Sequence, residues 1–169
     1  SFAERLPQDV LVEVDQRPFH FGRRLKDVVD KYRIQRTVYL GGGSGPLLSA
    51  QELANIAQEL AKADSLLITN NLLSSDLVAF TPGTALHAFE PPANDNTLAQ
   101  LLHHQAGLPV ISLPRTTATQ FDIDTPTDLL ILSLHPEIGP LVKGYLNGLQ
   151  LDTSRLWSAS EYFINPKSQ

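Results

Sequence analysis

The sequence predicts a single-domain α/β fold, a mostly parallel open sheet with helices on both faces. Three observations point to it. Short β-branched apolar runs alternate with amphipathic runs of helical spacing along the chain. The apolar runs end in glycine, asparagine or aspartate, the residues that suit turns. The composition, 42% hydrophobic and 18% charged over 169 residues, suits one globular domain with a real core.

Val10-Leu11-Val12-Glu13-Val14 reads as a first strand, closed by the turn Asp15-Gln16-Arg17-Pro18. Leu25, Val28, Val29 and Tyr32 then recur at helical spacing, predicting a helix from about Gly22 to Arg33. Thr37 to Leu40 is a strand running into Gly41-Gly42-Gly43-Ser44-Gly45-Pro46. Ser49 caps the next helix, with Glu52 completing a capping box and Leu53, Ile56, Ala57 and Leu60 on its apolar face. Strands follow at Ser65 to Thr69, ending at Asn70-Asn71, and at Asp76 to Phe80. A short one is expected at Ala85 to Phe89. Thr97 to Gln105 is helical, Pro109 to Leu113 a strand, and Arg115 to Gln120 a polar loop. Weaker helical segments cover Ile138 to Leu149 and Thr153 to Phe163. The domain boundary is placed at 136, with 137–169 a helical extension packed on the domain.

The stretch Phe121-Asp122-Ile123-Asp124-Thr125-Pro126-Thr127-Asp128 organises the rest. Phe121 and Ile123 alternate with Asp122 and Asp124, as in a half-buried strand. Thr125 suits a helix cap, Pro126 the first helical position, and Asp128 the positive end of the helix dipole. Two carboxylates thus stand at the end of a strand, where open α/β sheets bind ligands. On an extended strand both point to one side, repel, and leave the site wanting a cation. Hard paired oxygens suit Mg²⁺ beside a nucleotide phosphate. The plainer alternative is a capped helix following a strand.

Several chemistries are excluded or unsupported. Without cysteine there are no disulfides, thiolate metal sites or cysteine nucleophiles. The five histidines have no metal-ligand spacing, and no serine sits in a nucleophile elbow. A net charge of −5 argues against a broad nucleic-acid footprint. No apolar run is long enough to span a membrane, so the cytoplasm is the expected location. With no methionine, not even at the start, the chain reads as trimmed, tagged or missing residues.

Loops at strand ends should converge on one edge, collecting Gly41 to Gly45, Asn70-Asn71, Gly83-Thr84 and Asp122 to Asp124. The backbone amides of Gly42 and Gly43 are free to face a phosphate, although a plain strand-to-helix connection reads the same way. Asn70 and Asn71 offer neutral amide oxygens, or an Asx turn. Asn94-Asp95-Asn96 reads as a helix cap. Arg17, Arg23, Arg24 and Lys26 read as a solvated face, with Arg17 in reach of a phosphate.

Three features together resemble the GT-A-type nucleotidyltransferases, of nucleotide-diphospho-sugar transferase-like fold. They are Asp122-Ile123-Asp124-Thr125-Pro126-Thr127-Asp128-Leu129, Gly83-Thr84-Ala85-Leu86 leading to Pro91-Pro92, and Ala106-Gly107-Leu108-Pro109-Val110, spread over roughly Leu66 to Leu132. The likeness is nearest to the 2-phospho-lactate guanylyltransferases, with the molybdenum cofactor guanylyltransferases more distant. It implies transfer of a nucleoside monophosphate from a nucleoside triphosphate, GTP first, to a small phosphorylated or hydroxylated acceptor in cofactor biosynthesis. It places Asp122 and Asp124 at the metal and phosphate end, with Mg²⁺ as cofactor, and Thr84 against the acceptor. A homo-oligomer is compatible with it.

The family's opening Gly-rich loop has no counterpart before Ser1, its early lysine falls at Asp9, and its middle metal-binding aspartate falls at Asn70 or Asn71. Those differences define the alternative: a catalytically degenerate domain of the same fold that binds a ligand or a protein.

Overall fold

The computed structural model describes residues 10–15, 18–136, 138–149, 151–154 and 158. In chain order the elements are α1 (Phe21–Lys31), β1 (Thr37–Leu40), α2 (Ala50–Lys62), β2 (Leu66–Thr69) and β3 (Leu77–Thr81). A 3-10 helix (Gly83–His87), α3 (Leu98–His104), β4 (Val110–Ser112), α4 (Thr117–Gln120), α5 (Pro126–Ser133) and α6 (Pro140–Gly148) follow. The four strands form an α/β sheet in the order β1-β3-β2-β4.

The sheet is mixed, which corrects the expectation of a mostly parallel one. β3 runs antiparallel to both β1 and β2, while β2 and β4 are parallel. The cause is chain length. Only residues 70–76 join β2 to β3, and a parallel return needs a crossover of about a dozen residues or more. The β1-α2-β2 and β2-to-β4 links are long enough to cross over.

Helices do cover both faces. Leu67, Val78 and Phe80 point to one side, where Phe21 and Val29 of α1 and Leu98 and Leu102 of α3 pack. Leu66, Ile68, Leu77 and Ala79 point to the other, against Ile56 and Leu60 of α2. The period-two alternation of a strand thus feeds two separate apolar layers. A third cluster joins Leu132 of α5 to Ile138 and to Leu146 of α6, with Leu47, Phe121 and Ile123 against it.

The capping chemistry read from the sequence is present. Ser49 Oγ accepts from the Glu52 amide at 3.2 Å, and Glu52 Oε2 accepts from the Ser49 amide at 2.7 Å. Ser49→Ala is expected to lower stability by about 1 kcal/mol in urea denaturation. No change would mean that Ile56 and Leu60 alone hold α2.

Four expected elements differ. Val10 to Val14 belongs to no strand among the described residues, and its valines and Leu11 are exposed. A β-branched run makes a strand only where a partner edge is within reach. This segment is fastened instead by Glu13, whose carboxylate accepts from Lys31 Nζ at 2.5 Å, from Tyr32 Oη, and from Arg24 at 2.6 Å. Those partners hold it at about 2. Ala85 to Phe89 is not a strand. Pro82-Gly83 starts i,i+3 bonding, with Ala85 N donating to Pro82 O at 3.0 Å. Arg115 to Gln120 contains α4, capped reciprocally by Thr116 and Thr119. Phe121 to Ile123 makes a single bridge, Ser44 with Asp122, rather than a strand. The segment Thr153 to Phe163 lies mostly outside the described residues, as does Arg17. Among the described residues no helix is long and apolar enough to cross a membrane.

Candidate functional site

β1, β2 and β4 all point their carboxyl ends to one edge, where β3 begins. Gly41 to Gly45 leaves β1 there, Asn70 and Asn71 leave β2, and Asp76 leads into β3. The Ser44–Asp122 bridge brings in the organising stretch. Gly83 and Thr84 do not join them. β3 ends beside the start of β2, with Thr81 opposite Leu66, which puts Pro82 to Thr84 at the other end of the sheet. At about 3.3 Å per residue, the two edges are separated by roughly 13–17 Å. Gly83 there donates its amide to Gln35 O at 2.9 Å.

The core of the site is the meeting of Gly43 with Asp122 and Ile123. Ile123 N donates to Gly43 O at 3.1 Å. A Cβ on Gly43 would lie 2.4 Å from Ile123 O and 2.9 Å from Asp122 Oδ1, so only glycine permits this approach. At Gly42 a Cβ would meet nothing within 4 Å. Asp122 Oδ1 is buried and has no hydrogen-bond partner. Asp124 is exposed, so the two carboxylates occupy different environments rather than one strand face. The helix-start amides go to Asp128, whose Oδ2 accepts from Asp124 N at 3.0 Å and Thr125 N at 2.7 Å.

Asn70 is spent on structure. Its Oδ1 accepts from the amides of Asp76 (3.2 Å) and Leu77 (3.1 Å), and its Nδ2 donates to Thr119 O at 3.0 Å. It therefore knots the β2–β3 turn to the end of α4, with no oxygen turned to a ligand. Asn71 forms the Asx turn, Oδ1 accepting from Leu73 N at 3.0 Å.

Three participants carry no spacing signal in the sequence. Asp76 is pushed above the ordinary carboxylate range by burial, opposed by its bond from Asn70, with the charges of Asp122, Asp95 and Asp124 adding to the rise. Tyr39 Oη donates to Asp95 Oδ2 at 2.7 Å. Burial, that bond, and the charges of Asp95, Asp76 and Asp122 push the Tyr39 phenol upward. Among the described residues the edge thus gathers the charges of Asp76, Asp95, Asp122 and Asp124. Asp95, expected only as a helix cap, links it to the α3 side.

The Asp76 shift has a testable sign. A carboxyl raised in the folded state binds more protons there than in the unfolded chain, so stability falls as pH climbs from 3.8 through the raised value. Asp76→Asn is expected to melt about 2 °C above the parent protein at pH 7, with the gain gone by pH 4. An equal gain at both pH values would remove charge as its cause.

No protein-family model matches the chain, and no curated protein matches it either. The chemistry of the edge therefore stands on its own geometry. Among the described residues no group of three or more His, Asp or Glu side chains is gathered to hold a metal. Asp122 and Asp124 would need oxygens from a ligand to complete a cation's shell.

Proposed function

We propose that the protein is nucleotidyltransferase-like and binds the Mg²⁺ complex of a nucleoside triphosphate at this edge. Gly42 and Gly43 face the phosphates, and Asp122 and Asp124 share the cation with them. Asp122 carries the reading. A buried carboxylate oxygen without a donor costs free energy that a cation would recover, and the surrounding Asp76, Asp95 and Asp124 supply none of the missing positive charge. Hard oxygens beside a glycine backbone fit Mg²⁺, which would neutralise phosphate charge when bound.

In the reaction an acceptor oxygen attacks the α-phosphorus. The new O–P bond forms as the α–β bridging bond breaks, pyrophosphate leaves with the electron pair, and a hydroxyl acceptor's proton passes to solvent. The chain's contribution is positioning and exclusion of competing water.

A second reading is favoured by Asn70. The place where the resembled family carries a metal-binding aspartate falls at Asn70 or Asn71, and the side-chain oxygens of both accept from backbone amides within the protein. A domain that binds without turning over fits that substitution. Thermal shift with GTP, ATP, CTP and UTP, with and without Mg²⁺, tests both readings. One nucleotide is expected to raise the melting temperature by about 5 °C or more at saturation, only with Mg²⁺. Binding with pyrophosphate release supports the enzyme, binding with none across an acceptor panel supports the second reading, and no shift with any nucleotide sinks both.

A further inference from the structure

We infer that His103 and His104, at the end of α3, form a binding site for a divalent transition-metal ion of tetragonal preference, copper(II) above all. Successive residues of a helix stand about 100° apart, so adjacent histidines carry no ligand spacing in the sequence. The end of α3 changes this. The helix stops at His104, Gly107 takes φ 72°, and Leu108 N donates to Leu102 O at 3.1 Å, folding the chain back under the last turn. There the two imidazoles meet, their ring centres 4.7 Å apart and their planes tilted by 55°.

His103 is oriented for ligation. Its Nδ1 lies 2.9 Å from Leu108 O. A carbonyl only accepts, so Nδ1 carries the proton, and in the neutral ring Nε2 keeps its lone pair. A ring anchored at one nitrogen by a backbone carbonyl, with the other nitrogen left to the ion, is the usual arrangement of a metal-bound histidine. His104 is exposed, and among the described residues its ring has no partner but His103. That ring is free to turn a nitrogen to the same ion.

The separation of the rings selects the ion. An ion about 2.0–2.1 Å from a ring nitrogen lies about 3.2 Å from the ring centre, so centres 4.7 Å apart subtend roughly 95° at it. Neighbouring ligands of tetragonal copper(II) stand at about that angle, and copper(II) binds such nitrogen sites most tightly of the divalent series. Water completes the remaining positions. Mg²⁺ prefers hard oxygens and is a poor match for imidazole. The place differs too. Asp95, ahead of α3, belongs to the acidic edge through Tyr39, whereas the histidines close the helix, roughly 10 Å further along its axis. The inference therefore does not rest on the nucleotide reading.

Calorimetric titration and copper(II) EPR on the full chain test it. One equivalent of copper(II) is expected to bind with nitrogen splittings from two imidazoles. His104→Ala should keep the parent's melting temperature, lose about tenfold or more in copper affinity, and show a single imidazole. His103→Gln should do the same to copper, whatever its effect on melting. His87→Gln alters a histidine that Asp30 holds at 2.8 Å, and should leave the titration unchanged. Excess Mg²⁺ should not displace the copper. A single imidazole in the parent spectrum, or displacement by Mg²⁺, would overturn the inference. So would an equal loss of affinity in His87→Gln, or a His104→Ala variant that melts lower and binds copper as the parent does, the behaviour of rings in contact for packing alone.

Discussion

Gly83→Ala is expected to lower stability by about 3 kcal/mol, the upper end of overpacking costs, while Gly42→Ala stays within about 0.5 kcal/mol of the parent. At Gly83 an added Cβ would lie 2.0 Å from Ile34 O and 2.9 Å from Val29 Cγ1, in a buried position. The backbone cannot retreat easily, because the Gly83 amide is fixed to Gln35 O at 2.9 Å. Urea denaturation measures both variants. If Gly83→Ala left stability alone and instead weakened nucleotide binding, its assignment to the packed end of the sheet would be wrong.

Asp122→Asn is expected to weaken Mg²⁺–nucleotide binding at least tenfold, about 1.4 kcal/mol, while the ligand-free protein melts no lower. Its Oδ1 is buried without a donor beside other carboxylates, so removing the charge relieves repulsion and takes away a cation ligand together. Asp124→Asn should act in the same direction and more weakly, since its carboxylate is exposed. Asp128→Asn is the contrast. Asp128 Oδ2 accepts from two amides and the Thr125 hydroxyl, so its substitution should cost stability, about 1 kcal/mol. Melting curves and nucleotide titrations on the three variants separate these roles. A lower melting point with unchanged affinity for Asp122→Asn would retire the site.

Local signals were legible where a residue's partner lies within a few positions. Ser49 with Glu52, and Thr125 with Pro126 and Asp128, specify helix starts from their own short sequences. The strands from Thr37, Leu66, Leu77 and Val110 were legible from their short β-branched and apolar runs, and those from Leu66 and Leu77 fill both layers of the core. Val10 to Val14 has the same composition and, among the described residues, no partner strand, which no single segment reveals. The direction of β3 was available in principle, since residues 70–76 cannot carry a crossover. Missing it placed Gly83 and Thr84 with Asp122. Asp76, Asp95 and Tyr39 meet only through the tertiary fold, from positions up to 56 residues apart.

Reversal of one strand has an engineering corollary. Because β3 carries the chain from the acidic edge to the Gly83 end, the same short strand separates two populations of positions. Substitutions around Val29, Ile34 and Gly83 act on rigidity, and those around Gly43, Asp76 and Asp122 act on charge, at opposite ends of a core only a few residues long. A screen that selects for heat resistance should accumulate changes at the first end without touching ligand affinity. A screen for altered ligand choice should do the converse, so the two traits can be improved in separate rounds and then combined.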